Sequence, residues 1–289
     1  MKRRRNCWQN RLSYTEKSSI INNMRKFTTT YYQVSSNGKF PPGKGFRLAF
    51  ISDFHNMEFG SENVALKKAV DKEKPDLVLI GGDQIVAKPE ESLDPGLFFA
   101  ERLAEDYRVF YGCGNHEYRL KLYPEQYGDL YKKFRERLKK AEICYLENET
   151  ADLTVNDCPL RIYGYAMDRT YYDRFYRGSL PVSELMDHLG KVDPARYGIL
   201  LAHHPIYRAS YAAYGADLTL SGHYHGGVVG LGAHRGLVTP DFRLFSNSCR
   251  GIFRMGNNCQ IISAGTGEHT IPVRIWNKRE LIIVDIGQR

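Results

Sequence analysis

The chain of 289 residues contains no apolar stretch that approaches the roughly 18 residues a membrane-crossing helix needs. Its basic start is not followed by the apolar segment of about 7–15 residues that marks a secretory signal. The arginines at positions 3–5 resemble a twin-arginine start, but they too lack that segment. The expected location is therefore cytoplasmic, at most peripheral at a membrane. There is no C-x-x-C pair among the six cysteines (7, 113, 144, 158, 249 and 259), which excludes a zinc knuckle and a thioredoxin-type redox motif. Reduced thiols are expected, with Cys113 a packed thiol rather than a nucleophile because no base is placed for it. Internal repeats and low-complexity tracts are missing as well. At 42% hydrophobic and 26% charged residues, the composition excludes a disordered chain, a collagen and a coiled coil.

A basic body is also absent, despite a net charge of +8. Residues 1–26 hold eight basic side chains and one acid, leaving 33 basic against 32 acidic residues in the rest. The excess is a leader, which could touch anionic lipid or nucleic acid or simply fray. No nucleic-acid stripe is indicated beyond it. The expected organisation is a flexible basic leader over 1–30 and one domain over 31–289.

What is present is an alternation of short apolar runs with helical patterns. Thr29–Val34 reads as a first strand, and 47–52, 76–80 and 108–111 follow as buried strands. Segments 143–146, 160–165, 198–202 and 217–220 read likewise. Helices are expected after a cap at Ser61, from Asp94-Pro95, over Pro124–Lys140 and over Val182–Leu189. Beyond Gly226 the pattern is β segments and glycine turns, at 251–254, 260–263 and 280–286. This order indicates one α/β domain with a large sheet system.

Each buried strand ends in an Asp, Asn or His, often beside glycine. The loops are Asp53-Phe54-His55, Gly81-Gly82-Asp83, Gly114-Asn115-His116-Glu117, His203-His204-Pro205 and Gly222-His223-Tyr224-His225. Six of the nine histidines fall in these five loops, as one convergent site at the carboxyl ends of the strands would require. Oxygen and imidazole donors without thiolate suit Mn, Fe or Zn. Seven candidate ligands exceed the needs of one ion and suit two. Two ions about 3.5–4 Å apart can share a bridging carboxylate and a bridging hydroxide for in-line displacement at phosphorus.

The ordered series Asp-x-His, Gly-Asp, Gly-Asn-His-Glu, His and Gly-His-x-His resembles the calcineurin-like metallophosphoesterases from about residue 46 to 225. The tail, with Arg235-Gly-Leu-Val-Thr-Pro240, Ser263-Ala-Gly-Thr-Gly267 and Ile271-Pro-Val-Arg-Ile275, is similar to a bacterial branch of predicted phosphohydrolases often tethered to a membrane. The resemblance implies a four-layer α/β/β/α sandwich with two central mixed sheets. It implies Asp53, His55 and His225 on a first metal, Asn115, His203 and His223 on a second, and Asp83 bridging. The family's His-x-Pro spacing favours His203 over its neighbour His204 as the ligand. His116 would act as acid or phosphate stabiliser, with Glu117 orienting it, and His204 and Arg235 could reach substrate. The segment after Asp83 lacks the Asp-Arg pair of protein Ser/Thr phosphatases, which argues against phosphoprotein substrates.

The expected activity is hydrolysis of a phosphomonoester, phosphodiester or pyrophosphate by a metal-bridging hydroxide. The leader and the resemblance favour a lipid-linked or nucleotide-containing small substrate, with weak membrane contact through the leader. A metal-dependent nuclease and a non-catalytic binding module on the same fold are the alternatives. The aromatic run Tyr163, Tyr165, Tyr171, Tyr172, Phe175 and Tyr176, mixed with Arg161, Arg169, Arg174 and Arg177, is either an ordinary surface segment or a cap over the site.

Overall fold

The computed structural model describes residues 26–268 and 274–288. Residues 1–25 of the expected basic leader, with Cys7, and His269 and residues 271–273 of the tail motif lie outside the described residues. One six-stranded sheet is built from β1 (Phe27–Val34), β2 (Gly45–Ile51), β3 (Leu77–Ile80), β4 (Val109–Gly112), β5 (Cys144–Leu146) and β14 (Arg279–Gly287), in the order β1-β14-β2-β3-β4-β5. The second sheet uses β6 (Glu149–Val155), β7 (Cys158–Tyr165), β8 (Tyr197–Ala202), β9 (Leu218–Ser221), β12 (Gly251–Met255) and β13 (Asn258–Ile262), in the order β12-β13-β9-β8-β7-β6. A two-stranded ribbon, β10 (Gly236–Val238) with β11 (Leu244–Ser246), stands apart from both.

Side chains alternate across a strand, and here both faces of each central strand are covered. Leu48, Phe50, Leu77 and Leu79 point to the interior between the sheets, where they join Ile199, Leu201, Leu218 and Leu220. Ala49, Ile51, Val78 and Ile80 point the other way, onto α1 (Val64–Glu73), α2 (Asp94–Ala104), α3 (Asn115–Leu122) and α5 (Leu130–Lys140). The short α4 (Pro124–Tyr127) leads into α5. On the far side, Leu200 and Ala202 pack on α6 (Val182–Leu189) and α7 (Arg208–Tyr214). The result is the expected α/β/β/α layering. Strands β2, β3, β4 and β5 run parallel, as do β7, β8, β9 and β13, so several carboxyl ends open onto one end of the sandwich. Among the described residues no helix is long and apolar enough to cross a membrane.

Several boundaries differ from the sequence reading for identifiable reasons. Strand β1 starts at Phe27, inside the segment assigned to the leader, and pairs with β14 along its full length. Ser61 does not cap the helix: a 3-10 turn covers Ser61–Asn63, the Asn63 side chain accepts the Phe59 N–H at 2.7 Å, and α1 begins at Val64. The helix expected over 124–140 is broken at Gly128, whose φ of +57° is glycine territory. Helices α3 and α7 and the polar edge strand β6 were not anticipated.

Phe134 on α5 is fully buried, with its ring edge-on to Tyr111 and Tyr145 at 5.7 and 5.2 Å. Phe134→Ala is expected to lower the unfolding free energy by about 3–5 kcal/mol, read from urea denaturation monitored by circular dichroism.

Candidate metal centre

Five parallel-strand ends deliver the chemistry. Asp53 and His55 follow β2, Asp83 follows β3, Asn115 and His116 open α3 after β4, His203 follows β8, and His223 and His225 follow β9. The turns are tight and stitched together: Asp53 N–H donates to Gly82 O at 3.0 Å and His55 N–H to Asp83 O at 3.1 Å. Asp53, His55, Asp83, His223 and His225 all have left-handed backbones, with φ between +48° and +67°. Such a conformation costs about 1–3 kcal/mol per non-glycine residue and persists where its surroundings over-determine it. Gly114 and Gly222 permit the crowding: a Cβ at either would fall on a site carboxylate, Asp83 or Asp53 respectively.

The ligand atoms converge in three overlapping groups, Asp53/His55/His225, His55/Asp83/His116 and Asp83/His203/His223, each within 4.8 Å of one another. The Nε2 atoms of His55 and His225 are 3.2 Å apart. That is roughly the separation of two imidazoles on one ion with metal–nitrogen distances of about 2.0–2.1 Å. His203 Nε2 is 3.2 Å from Asp83 Oδ2 and 3.7 Å from Asp53 Oδ1. Asn115 Oδ1 and His203 Nε2 are buried and have no hydrogen-bond partner, a costly state for polar atoms unless they ligate something. The residues present therefore fit a divalent metal centre.

Two fully buried carboxylates also demand positive charge. Burial pushes the Asp53 carboxyl up to about 6, with Asp83 adding to the rise and His203 opposing it. Burial works in the same direction on Asp83, but His203, His116 and His55 outweigh it and hold that carboxyl well below its usual range. Burial opposes protonation of His203, yet the two aspartates raise it to about 10. The cluster is arranged to neutralise anions with a cation at its centre.

The other expected site residues divide. His116 Nδ1 accepts the Ala87 N–H at 2.8 Å. The ring therefore carries its proton on Nε2, and burial lowers its pKa from the ordinary histidine value. That arrangement supplies a fixed N–H donor; a second proton on Nδ1 would break the Ala87 bond. Glu117 does not orient His116. Its buried carboxylate accepts the N–H groups of Asp83 (2.9 Å), Gln84 (3.0 Å) and Gly114 (3.0 Å) and the Tyr111 hydroxyl (2.6 Å), so it ties the loops after β3 and β4 together. His204 lies behind the site, with Nδ1 taken by the Ile206 N–H and the ring packed against His223 and Tyr172. Burial lowers its pKa to about 3, and it borders no cavity at the site. Arg235 is exposed beside β10 and is likewise absent from the cavity walls. Cys113 is buried with its thiol pKa pushed up, as a packed thiol should be.

Two cavities meet at His116, Asn115 and His223, one of about 380 Å³ and one of about 270 Å³. The larger is lined by Tyr172, Arg169, Arg174 and Phe175 from the aromatic run, and by Tyr118 and Arg119 from α3. Tyr163 and Tyr165, by contrast, are core residues under α6 and α7. Arg274 was missed as a supporting residue. Its buried guanidinium donates to Ala264 O at 2.7 Å and Gly267 O at 2.6 Å and lies 3.3 Å from His225 Nδ1. Only its place in the tail motif signalled it.

The Calcineurin-like phosphoesterase family profile matches residues 46–227, and the chain belongs to that family. An uncharacterized metallophosphoesterase of Aquifex aeolicus is 30% identical over 254 residues, covering 86% of this chain and 87% of that protein. A Helicobacter pylori metallophosphoesterase, also uncharacterized, is 27% identical over 82% of this chain, which spans 59% of that protein's length. Among solved structures, phosphopantetheinyl hydrolase from Mycobacterium tuberculosis superposes with a TM-score of 0.49 at 14% identity, covering 78% of this chain and 91% of that one. The chain is accordingly a hydrolase of phosphate ester bonds with a divalent metal centre.

Removing the Glu117 carboxylate would leave three buried N–H donors and one hydroxyl without their acceptor. Each costs about 1–3 kcal/mol, so Glu117→Ala is expected to lose about 3 kcal/mol or more of stability in chemical denaturation. An unchanged denaturation midpoint would show that the carboxylate does not hold these loops.

Proposed function

We propose that the chain is a dinuclear phosphoesterase in which Asp53, His55 and His225 hold one divalent ion, Asn115, His203 and His223 hold the second, and Asp83 serves both. The observation that carries this reading is the overlap of the three ligand groups, with Asp83 in two of them and the orphaned Asn115 Oδ1 and His203 Nε2 beside it. When bound, such ions polarise phosphoryl oxygens and bring the pKa of water near neutrality.

The chain's own groups do the rest. Asp53 is kept in register by the Ser52 hydroxyl at 2.8 Å and the His223 N–H at 2.9 Å. Asp83 is aimed by the His116 N–H at 2.8 Å. His116 borders both cavities, and its Nε2–H is the group to donate to a phosphoryl or leaving oxygen as charge develops there. The substrate is a phosphomonoester, phosphodiester or pyrophosphate.

The test is hydrolysis of p-nitrophenyl phosphate and bis-p-nitrophenyl phosphate by metal-stripped protein with Mn, Fe, Zn, Ni or Mg restored. Turnover is expected on metal addition, its loss in Asp83→Asn, and a fall in kcat of about 10²–10³-fold in His116→Ala. Full turnover in Asp83→Asn would contradict the shared-ligand arrangement.

A further inference from the structure

The two cavities at the metal centre differ in charge. The smaller is bordered by Lys88, which closes onto Glu91 at 3.2 Å, and by Glu268. The larger carries three guanidinium groups, from Arg119, Arg169 and Arg174. Of its two carboxylates, Asp241 is held by Arg243 at 2.7 Å, while Asp173 caps a local turn through the Phe175 N–H at 2.8 Å and keeps its charge, so three guanidinium groups face one uncompensated carboxylate. Among the described residues neither Arg119 nor Arg174 has a carboxylate partner. Arg174 and Arg169 are instead supported on aromatic faces, over Phe242 at 4.7 Å and Tyr123 at 5.1 Å. A guanidinium held by a ring keeps most of its N–H donors for a ligand. Arg119 lies one helical turn beyond Asn115, so on α3 the two side chains share a face. The unpaired cations thus stand next to the reacting centre, on one side of it.

We propose that the larger cavity receives the leaving-group half of the substrate and that this half carries a second anionic group, a phosphate or a carboxylate, bound by Arg119 and Arg174. The inference rests on the phosphoesterase reading above and names its substrate class. In the reaction, oxygen from water bonds to phosphorus, the bond from phosphorus to the leaving oxygen breaks, and the proton released by water ends on that leaving oxygen. Nothing is oxidised or reduced. The departing alcohol or phosphate keeps its second anion on the arginines until it is released.

Two measurements test this on the full chain with Mn added. The first is calorimetric titration of propane-1,3-diphosphonate against propylphosphonate, neither of which can be hydrolysed at its P–C bond. The diphosphonate is expected to bind about 10–100-fold more tightly. That advantage should vanish in Arg119→Ala/Arg174→Ala and return in part in Arg119→Lys/Arg174→Lys, which keeps the charges. The second compares kcat/KM for adenosine 3′,5′-bisphosphate against AMP, and for glycerol 1,3-bisphosphate against glycerol 3-phosphate. A gain from the second phosphate in either pair supports the inference, and the pair with the larger gain separates a nucleotide source from a non-nucleotide one. Equal affinities for the two phosphonates, an advantage that survives in the alanine variant, or no gain in either pair would overturn it. Hydrolysis of none of the four esters with any metal would instead contradict the phosphoesterase reading, and the phosphonate titrations would then decide only whether Arg119 and Arg174 bind a second anion.

Discussion

Two carboxylates, Asp53 and Asp83, are buried at the carboxyl ends of adjacent parallel strands, and the rest of the site is organised around the positive charge they require. An isolated ion in a protein interior costs several kcal/mol, so neither aspartate is tenable without compensation. The histidines His203, His55 and His225 supply part of it, standing 3.2–3.7 Å from a carboxylate oxygen. The buried Asn115 Oδ1, which has no hydrogen-bond partner, shows that protein groups alone do not complete the cluster. A divalent centre does. The left-handed backbones at five of the converging residues and the missing Cβ atoms at Gly114 and Gly222 are the local cost of bringing those donors so close together.

That cost is carried by the layers behind the site. Each central strand is buried on both faces, so the sheets cannot slide to relieve the loops. Glu117 extends the same logic to the loops themselves: one carboxylate clamps the backbone on either side of Asp83 and at Gly114. Ala87 performs the matching task for His116 by occupying Nδ1, which leaves the proton on Nε2. The orientation of the His116 ring is thus fixed by a backbone N–H rather than by a neighbouring acid.

The layering, and the convergence of the Asp and His side chains at one end of it, were legible in the sequence because both leave strong local marks. Fully buried strands read as continuous apolar runs, and a ligand must directly follow such a run to sit at its carboxyl end. Direction was not legible. Glu117 stands beside His116 in sequence, yet α3 turns it under Asp83, and that helix is hidden because its first turn is also the Gly-Asn-His-Glu motif. The same omission concealed Arg119, one turn further on. The surroundings of His204 and Arg235 were not legible for a related reason: proximity along the chain to the converging residues says nothing about which way a side chain faces, and the His204 ring packs against Tyr172 and His223. Strand β6 left no apolar mark because, as a sheet edge, it exposes most of its side chains.

The proposed pair of ions shares Asp83. Electron paramagnetic resonance of the metal-stripped protein titrated with manganese tests it most directly. With two equivalents per chain, ions about 3.5–4 Å apart and bridged should give an exchange-coupled spectrum, and Asp83→Asn should abolish the coupling. Saturation at one equivalent, or two equivalents giving only the six-line signal of isolated manganese, would contradict the dinuclear centre.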